Sequence, residues 1–265
     1  MDALRLLLII SIISSSSSSS SCLSAAAASN NGDKVTLALY YESLCPYCSN
    51  LIVNYLYKLF DSDIISITDL KLIPYGNAKI KPNSTITCQS LATIFSNGLI
   101  NKVHLNLHGP WECLLNTVES CAIDAWPDVK DHFPFIYCVE SLVYENNYTY
   151  WETCFEKLGL DASPVTNCLN SDRGTEIELA YAAETSALQP PHKYVPWVVV
   201  DGQPLYDDYR EFVSYICKAY KGTATPLACS SESSSSRLGL IRKVKMNILG
   251  FLFGAKPVPN SAFTA

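Results

Sequence analysis

The chain has 265 residues, 25 acidic against 19 basic, and a formal net charge of −6, with an isoelectric point near 5.2. That balance excludes nucleic acid as a partner, because phosphate binding needs a basic face. Eleven cysteines direct attention to disulfides and redox chemistry.

Leu4 to Ile13 is a short apolar run behind Arg5, followed by a serine tract and Ala25 to Ala28. This is the pattern of a secretory signal peptide, residues 1–28, with a small-residue cleavage zone near Ser24 to Ser29. The run is too short to span a bilayer, and no stretch of about 20 apolar residues occurs elsewhere, so no transmembrane helix is expected. Loss of Cys22 with the signal leaves an even number of cysteines in a compartment that permits disulfides. The sequons Asn83-Ser84-Thr85 and Asn147-Tyr148-Thr149 agree with passage through the endoplasmic reticulum.

Val35 to Tyr41 is apolar or β-favouring almost without a break, as in a central strand covered on both faces. Cys45-Pro46-Tyr47-Cys48 follows, and from Leu51 the residues Leu51, Ile52, Tyr55, Leu56, Leu59 and Phe60 recur at helical spacing. The cysteine pair thus sits where a strand ends and a helix begins. Unpaired N–H groups and the partial positive charge of a helix amino terminus stabilise a thiolate there, and Pro46 suits the first helical position. A C-x-x-C can instead be half of a zinc site, but no second C-x-x-C is present and no metal is expected. A purely structural bridge remains open, as does a glutaredoxin-like redox pair, against which the signal peptide argues.

Asp69 to Tyr75 reads as a second strand, parallel to the first through a βαβ crossover, and Gly76 to Lys81 leads into the loop bearing Asn83. Helices are expected over Glu112 to Ile123, Phe135 to Val143, Tyr150 to Leu158 and Thr175 to Leu188, with Cys168 in a loop or short helix between the last two. Strand character returns at Val195 to Val200, Asp201-Gly202 is a hairpin signal, and Asp207 to Tyr220 reads as the last helix. Together these elements predict an α/β fold over residues 33–229 with a cysteine-rich, mainly helical insertion, about 82–190, between its two halves; the arrangement resembles a thioredoxin-like fold. Apart from Cys45 and Cys48, the cysteines Cys88, Cys113, Cys121, Cys138, Cys154, Cys168, Cys217 and Cys229 are candidates for structural disulfides. Eight cysteines allow 105 pairings, so spacing alone leaves the connectivity open. Residues 230–265 form a serine-rich linker and a basic, apolar tail. Two readings of the tail stand: an amphipathic helix that touches a membrane, or a disordered or removable extension. Its polar end, Asn260 to Ala265, does not suit a lipid-anchor signal.

Pro196 before a strand is unusual, since proline is tolerated at strand starts and edges. The placement resembles thioredoxin folds, in which a cis-proline stands beside the active cysteines and the neighbouring backbone pairs with substrate; this makes Val195 and Pro196 the candidate substrate-binding residues. The most specific string is His108-Gly109-Pro110-Trp111-Glu112-Cys113-Leu114-Leu115-Asn116, with Cys121 five residues on. It resembles the signature C-Q-H-G-x-x-E-C-x-x-N-x-x-x-x-C of the gamma-interferon-inducible lysosomal thiol reductase (GILT) family, and the resemblance extends in order over the whole mature domain. One departure stands out. Asn106-Leu107 precede His108, while Cys88-Gln89 lies upstream. Removing Ser90 to Leu107 restores a continuous C-Q-H-G-P-W-E-C, so residues 90–107 are expected to be an in-frame insertion. The resemblance implies that Cys88, Cys113 and Cys121 are structural, and His108 reads as a turn residue in preference to a base.

The activity so implied is thiol–disulfide exchange without a cofactor. Cys45, the more exposed thiol, attacks a disulfide of a protein substrate, and Cys48 resolves the mixed disulfide. The expected partners are disulfide-containing proteins and, as electron donor, a small thiol or a reductase. The expected location is the secretory pathway, ending outside the cell or in a lysosome or vacuole. A secreted, non-enzymatic disulfide scaffold and a disulfide oxidase or isomerase are the competing readings, because sequence does not fix a reduction potential.

Overall fold

The computed structural model describes residues 34–82, 85–88, 109–223 and 225–230. The signal segment, Asn83, residues 90–107, His108 and the tail from 231 lie outside the described residues.

Strand β1 (Val35–Tyr41) pairs in parallel with β2 (Thr68–Pro74), from Val35 against Thr68 to Tyr41 against Pro74. On its other side β1 runs antiparallel to β5 (Trp197–Val200), which turns back into the two-residue β6 (Gln203–Pro204). The sheet order is β2-β1-β5-β6, and the crossover from β1 to β2 is helical. This βαβ unit followed by a ββα unit is the thioredoxin-like α/β fold.

Alternation sorts β1 between two cores. Val35, Leu37, Leu39 and Tyr41 join Leu70, Leu72, Val198 and Val200 under the helix that follows β1 and under α8 (Phe212–Ala219), through Leu51, Ile52, Leu56, Phe212 and Ile216. Ala38, Tyr40, Ile73, Trp197 and Val199 face the other way, onto Ala182 of α7 (Asp172–Ser186). Both faces are covered, which is why the strand reads as an unbroken apolar run. Burying each of these leucines contributes about 2 kcal/mol.

The helix after the cysteines is not uniform. It begins as α1 (Pro46–Leu51), loosens into a π-helical stretch over Ile52–Leu56, and ends as α2 (Lys58–Asp61). The Tyr57 N–H reaches back five residues to the Ile52 carbonyl at 3.3 Å. That extra residue in the turn keeps Leu51, Ile52, Leu56 and Leu59 all within 2% exposure, leaving Tyr55 partly buried. Phe60 stacks on Phe133 with ring centroids 4.1 Å apart.

Between a short hairpin, β3 (Lys79–Ile80) with β4 (Ile86–Thr87), and β5 lie α3 (Pro110–Ala125), α4 (Val129–Tyr144), α5 (Thr153–Leu158), α6 (Ser163–Leu169) and α7. Several are longer than the sequence pattern suggests. Helix α3 starts at Pro110 because Gly109 adopts φ 64° and Pro110 needs no N–H partner in the first turn. Helix α4 begins six residues before Phe135, since the Asp128 side chain caps the Lys130 N–H at 2.9 Å; Pro134, inside the helix, interrupts the helical pattern that sequence presents. Tyr148–Tyr150 is a 3-10 turn before α5, and Tyr206–Glu211 is another before α8, so each expected helix starts late. Strand β5 pairs from Trp197 onward, because Pro196 has no N–H to offer the ladder. Leu115, Val118, Phe135, Val139, Cys154 and Val165 form the core of this helical layer.

Candidate active site

Cys45 occupies the N-cap of α1, with Pro46 as the first helical residue and Cys48 one turn on. The Cys48 and Ser49 N–H groups bond to the Cys45 carbonyl at 3.1 and 3.0 Å. Pro46 and Tyr47 are exposed, but Cys45 is only 6% exposed and Cys48 not at all. The expected order of exposure holds, though Cys45 is far more covered than an exposed nucleophile. Its cover is the opposing loop: the Cys45 Sγ–H points at the Val195 carbonyl, 3.9 Å away, and the Val195–Pro196 peptide is cis. Both thiols are free.

The two thiols have opposite acidities. The hydrogen bond from the Cys48 thiol lowers the pKa of Cys45, burial works against it, and the Cys48 and Tyr47 backbone N–H groups help to lower it. Burial pushes Cys48 well above the ordinary thiol range, and its hydrogen bond to Cys45 and the Cys45 charge add to the rise. The charge of Glu42, 2% exposed, disfavours ionisation of both thiols, while a backbone hydrogen bond from Glu42 favours it at Cys48. Its carboxylate accepts from the Asn77 backbone N–H at 2.9 Å and from Asn77 Nδ2 at 3.2 Å. Gly76 has φ 59°, and a Cβ there would fall on the Glu42 side chain.

The turn is held from the helical layer. Leu44, just before Cys45, adopts φ 68°, a conformation that costs a β-carbon residue about 1–2 kcal/mol. Its side chain is 8% exposed, in the core with Leu115 and Val118, which offsets that cost. The Ser43 N–H donates to Asn116 Oδ1 at 2.8 Å, and Ser43 Oγ donates to Glu119 Oε1 at 3.1 Å. The Tyr41 hydroxyl donates to Glu119 Oε2. Leu115, Asn116 and Cys113 come from the signature string: Leu115 shares a core with Leu44, Asn116 positions the turn and Cys113 staples the helix.

Every structural cysteine finds a partner. Cys88, just after β4, bonds Cys113 on α3; Cys121 on α3 bonds Cys168 on α6; Cys138 on α4 bonds Cys154 on α5; Cys217 on α8 bonds Cys229. Asn147 is exposed, as an acceptor of glycan must be. His104 and His108 have the spacing of a metal-ligand pair but lie outside the described residues. Among the described residues no group of three or more His, Cys, Asp or Glu could hold a metal ion, and no helix is long and apolar enough to cross a membrane. Sequence reading missed Glu42, Ser43 and Glu119, and gave Asn116 only as part of the signature string.

Known proteins are similar to this chain in sequence. The family model for gamma interferon inducible lysosomal thiol reductase matches residues 36–94 and 95–158. A gamma-interferon-responsive lysosomal thiol protein of Arabidopsis thaliana is 43% identical over 208 residues, covering 77% of this chain and 79% of its own. A gamma-interferon-inducible lysosomal thiol reductase of Mus musculus is 34% identical over 208 residues, covering 77% and 75%. Among solved structures, a putative protein disulfide isomerase from Nitrosomonas europaea superposes with a TM-score of 0.40 at 13% identity, covering 63% of this chain and 85% of its own; the fold assignment rests on the strand order and not on that superposition. By sequence identity over most of its length, the chain belongs to the gamma interferon inducible lysosomal thiol reductase family and is a thiol–disulfide oxidoreductase.

Proposed function

We propose that the protein reduces disulfide bonds of protein substrates in the secretory pathway through Cys45 and Cys48. The observation that carries this reading is a pair of free thiols one turn apart at a strand-to-helix turn, with Cys45 Sγ against the Val195 carbonyl; their opposed acidities agree with it. The Cys45 thiolate attacks one sulfur of the substrate disulfide; that S–S bond breaks, a mixed disulfide forms, and the released substrate thiolate takes a proton. Cys48 then gives up its proton and attacks Cys45 Sγ, the mixed disulfide breaks, and the second substrate thiol leaves. Two electrons pass from the pair to the substrate, and a small thiol or a reductase restores the dithiol. The high Cys48 pKa keeps it protonated until the mixed disulfide removes the neighbouring negative charge, so the steps occur in order.

Lowering of the Cys45 pKa decides where the enzyme works. A thiol of ordinary pKa 8.5 is only about 0.03% thiolate at pH 5. The relatives' names place them in lysosomes, and the same acid setting, in a lysosome or vacuole, or else the extracellular space, is proposed here. Val195 and Pro196 supply the backbone that lies against the substrate chain. Residues 1–28 are proposed as a removed signal, Asn83 and Asn147 as glycan acceptors, and residues 230–265 as a tail outside the redox domain.

The test is reduction of a denatured, disulfide-bonded protein at pH 5 and pH 7 by wild type, Cys45→Ser and Cys48→Ser. Activity is expected to vanish in both variants, and Cys48→Ser is expected to accumulate the mixed disulfide on Cys45. A Cys45→Ser protein with full activity, or net oxidation of a reduced substrate by the wild type, would refute the proposal.

A further inference from the structure

The outer edge of the sheet carries a cleft that the exchange chemistry does not use. It lies where β6, the last strand in the order β2-β1-β5-β6, leads toward α8. Its volume, about 570 Å³, is in the range that takes a side chain with its flanking backbone. Pro190, Pro204 and the buried Leu205 supply apolar wall. Tyr206 and Tyr215 supply ring surface, and Asp207 and Asp208 supply charge. The lining is tied down: the Leu205 N–H donates to the Val198 carbonyl at 2.9 Å, and the Tyr215 hydroxyl donates to Asp208 Oδ2 at 2.9 Å.

A line of rings joins this cleft to the cysteine turn. The Val195 carbonyl lies 3.9 Å from Cys45 Sγ. Tyr194, the residue before it, has its ring centroid 5.4 Å from that of Trp197, and Trp197 is 5.3 Å from Tyr206. Trp197 is buried, but Tyr194 and Tyr206 are 36% and 44% exposed. From Val195 to the Tyr206 ring the path is at most about 16 Å, or about five residues of extended chain. A polypeptide whose cysteine is under attack at Cys45 therefore has the cleft within reach of its flanking residues. Tyr206 itself is strained. It adopts φ 50°, left-handed backbone that a β-carbon disfavours, and unlike Leu44 it is not buried. The strain holds a ring at the cleft, partly open to solvent, and strain of that kind clusters at binding sites.

Arginine matches this lining best. Its stem packs on proline and leucine, its guanidinium stacks on a tyrosine ring, and carboxylates accept charge-assisted hydrogen bonds from it. Asp208 keeps acceptor sites after taking the Tyr215 hydrogen. Two cations stand nearby, and neither lines the cleft. Lys193 Nζ is 6.0 Å from the Tyr206 centroid, the outer limit of a cation–π contact, and Arg210 places its guanidinium over Tyr55 and Tyr209. We propose that the cleft is a substrate subsite for a basic side chain, arginine above all, about five residues from the attacked cysteine, so that the enzyme favours disulfides set in basic, extended sequence. This names the substrate class of the reduction proposed above, and it rests on the reading of Cys45 as the attacking thiol.

The experiment measures kcat/KM for reduction of a set of Gly-Ser peptides by wild type and Asp207→Asn/Asp208→Asn. Each peptide has one internal disulfide and a single arginine, alanine or glutamate about three to seven residues from either cysteine. A surface ion pair together with a cation–π contact changes such a ratio about three- to tenfold. The arginine peptide is expected to exceed the alanine peptide by that factor at one spacing, with glutamate below both. Salt at about 0.5 M should shrink the difference, and in the double variant the arginine-to-alanine ratio should approach one. Equal kcat/KM for arginine and alanine at every spacing, or an undiminished preference in the double variant, would overturn the subsite while leaving Cys45 as nucleophile. Full reduction of these peptides by Cys45→Ser would overturn the reading beneath it.

A second measurement needs no reaction. N-acetyl-arginine amide titrated into the nitrogen-15-labelled protein should shift the backbone amide signals of Tyr206, Asp207 and Asp208, while its neutral isostere, N-acetyl-citrulline amide, leaves them in place. Shifts no larger there than over the rest of the surface, or equal shifts with citrulline, would refute the subsite independently of the redox reading.

Discussion

Folding stability should fall as pH rises from 5 to 7.5, the reverse of what paired surface carboxylates produce. Burial raises Glu119 from 4.5 to about 7, and the same cause raises Glu178, 5% exposed, to about 7. In the unfolded chain both ionise near 4.5, so between those values the native state holds more protons. Stability from each group is then fully present below about 4.5 and is lost as pH climbs through the folded value. At about 1.4 kcal/mol per pKa unit, each carboxyl carries about 3 kcal/mol over the whole window. About 2 kcal/mol of that falls between pH 5 and 7.5, so the two together remove about 4–5 kcal/mol. Glu140 acts in the same direction. Buried His132 opposes it: burial lowers its pKa, so its contribution is present above 6.5 and is lost as pH falls. His192, whose pKa burial also lowers, acts in the same sense as His132, and two histidines against three carboxyls leave the net slope downward. Urea unfolding at pH 5 and 7.5, disulfides intact, should show this loss with an unchanged m-value, and Glu119→Gln should cut the loss by about 2 kcal/mol. Equal or greater stability at pH 7.5, or an undiminished slope in Glu119→Gln, would refute the reasoning.

Three further outcomes are expected. Gly76→Ala forces a side chain into left-handed backbone and onto Glu42; with the Asn77 hydrogen bonds to Glu42 disturbed, it should cost about 2–4 kcal/mol in urea unfolding. Replacing both Cys138 and Cys154 by alanine opens a bridge 16 residues apart in sequence and should lower stability by about 2–4 kcal/mol, while the Cys45 alkylation rate at pH 5 stays that of wild type. A protein lacking residues 90–107 should still fold, with Cys88 bonded to Cys113 by peptide mapping and with disulfide reductase activity retained. The family match breaks between residues 94 and 95, inside that segment; loss of the Cys88–Cys113 bridge on deletion would count against an inserted origin.

Much of the frame was legible because its determinants are local. A strand covered on both faces shows itself as an apolar run, and β1 begins and ends where that run does. Cysteine, proline, tyrosine and cysteine in succession write the helix start into the chain, and Pro196 marks the loop opposite. The disulfides were legible as a number and not as a map. Cys113 and Cys121 lie on one helix, yet they bond to elements far apart in sequence, the β4 end and α6. Connectivity follows from how five helices stack, which no local pattern fixes.

The buried acids escaped for a different reason, one that also shows how they could be found. A glutamate in a helix is assigned to the solvent face by default, since charged residues are almost never fully buried unless paired. Glu119, however, lies four residues after Leu115 and three before Ala122, both completely buried in α3, and Glu140 lies four after buried Ile136 in α4. Helical spacing therefore places each acid on its own apolar stripe. An acid on such a stripe is either protonated or held by donors, and here both conditions meet: protons for the pair, Tyr41 and Ser43 for Glu119. Those donors belong to the strand end and the turn that deliver Cys45. The helical layer thus does more than cover the sheet; it sets buried ionisable groups beneath the strand end and the turn that carry Cys45, something the cysteine turn by itself does not provide.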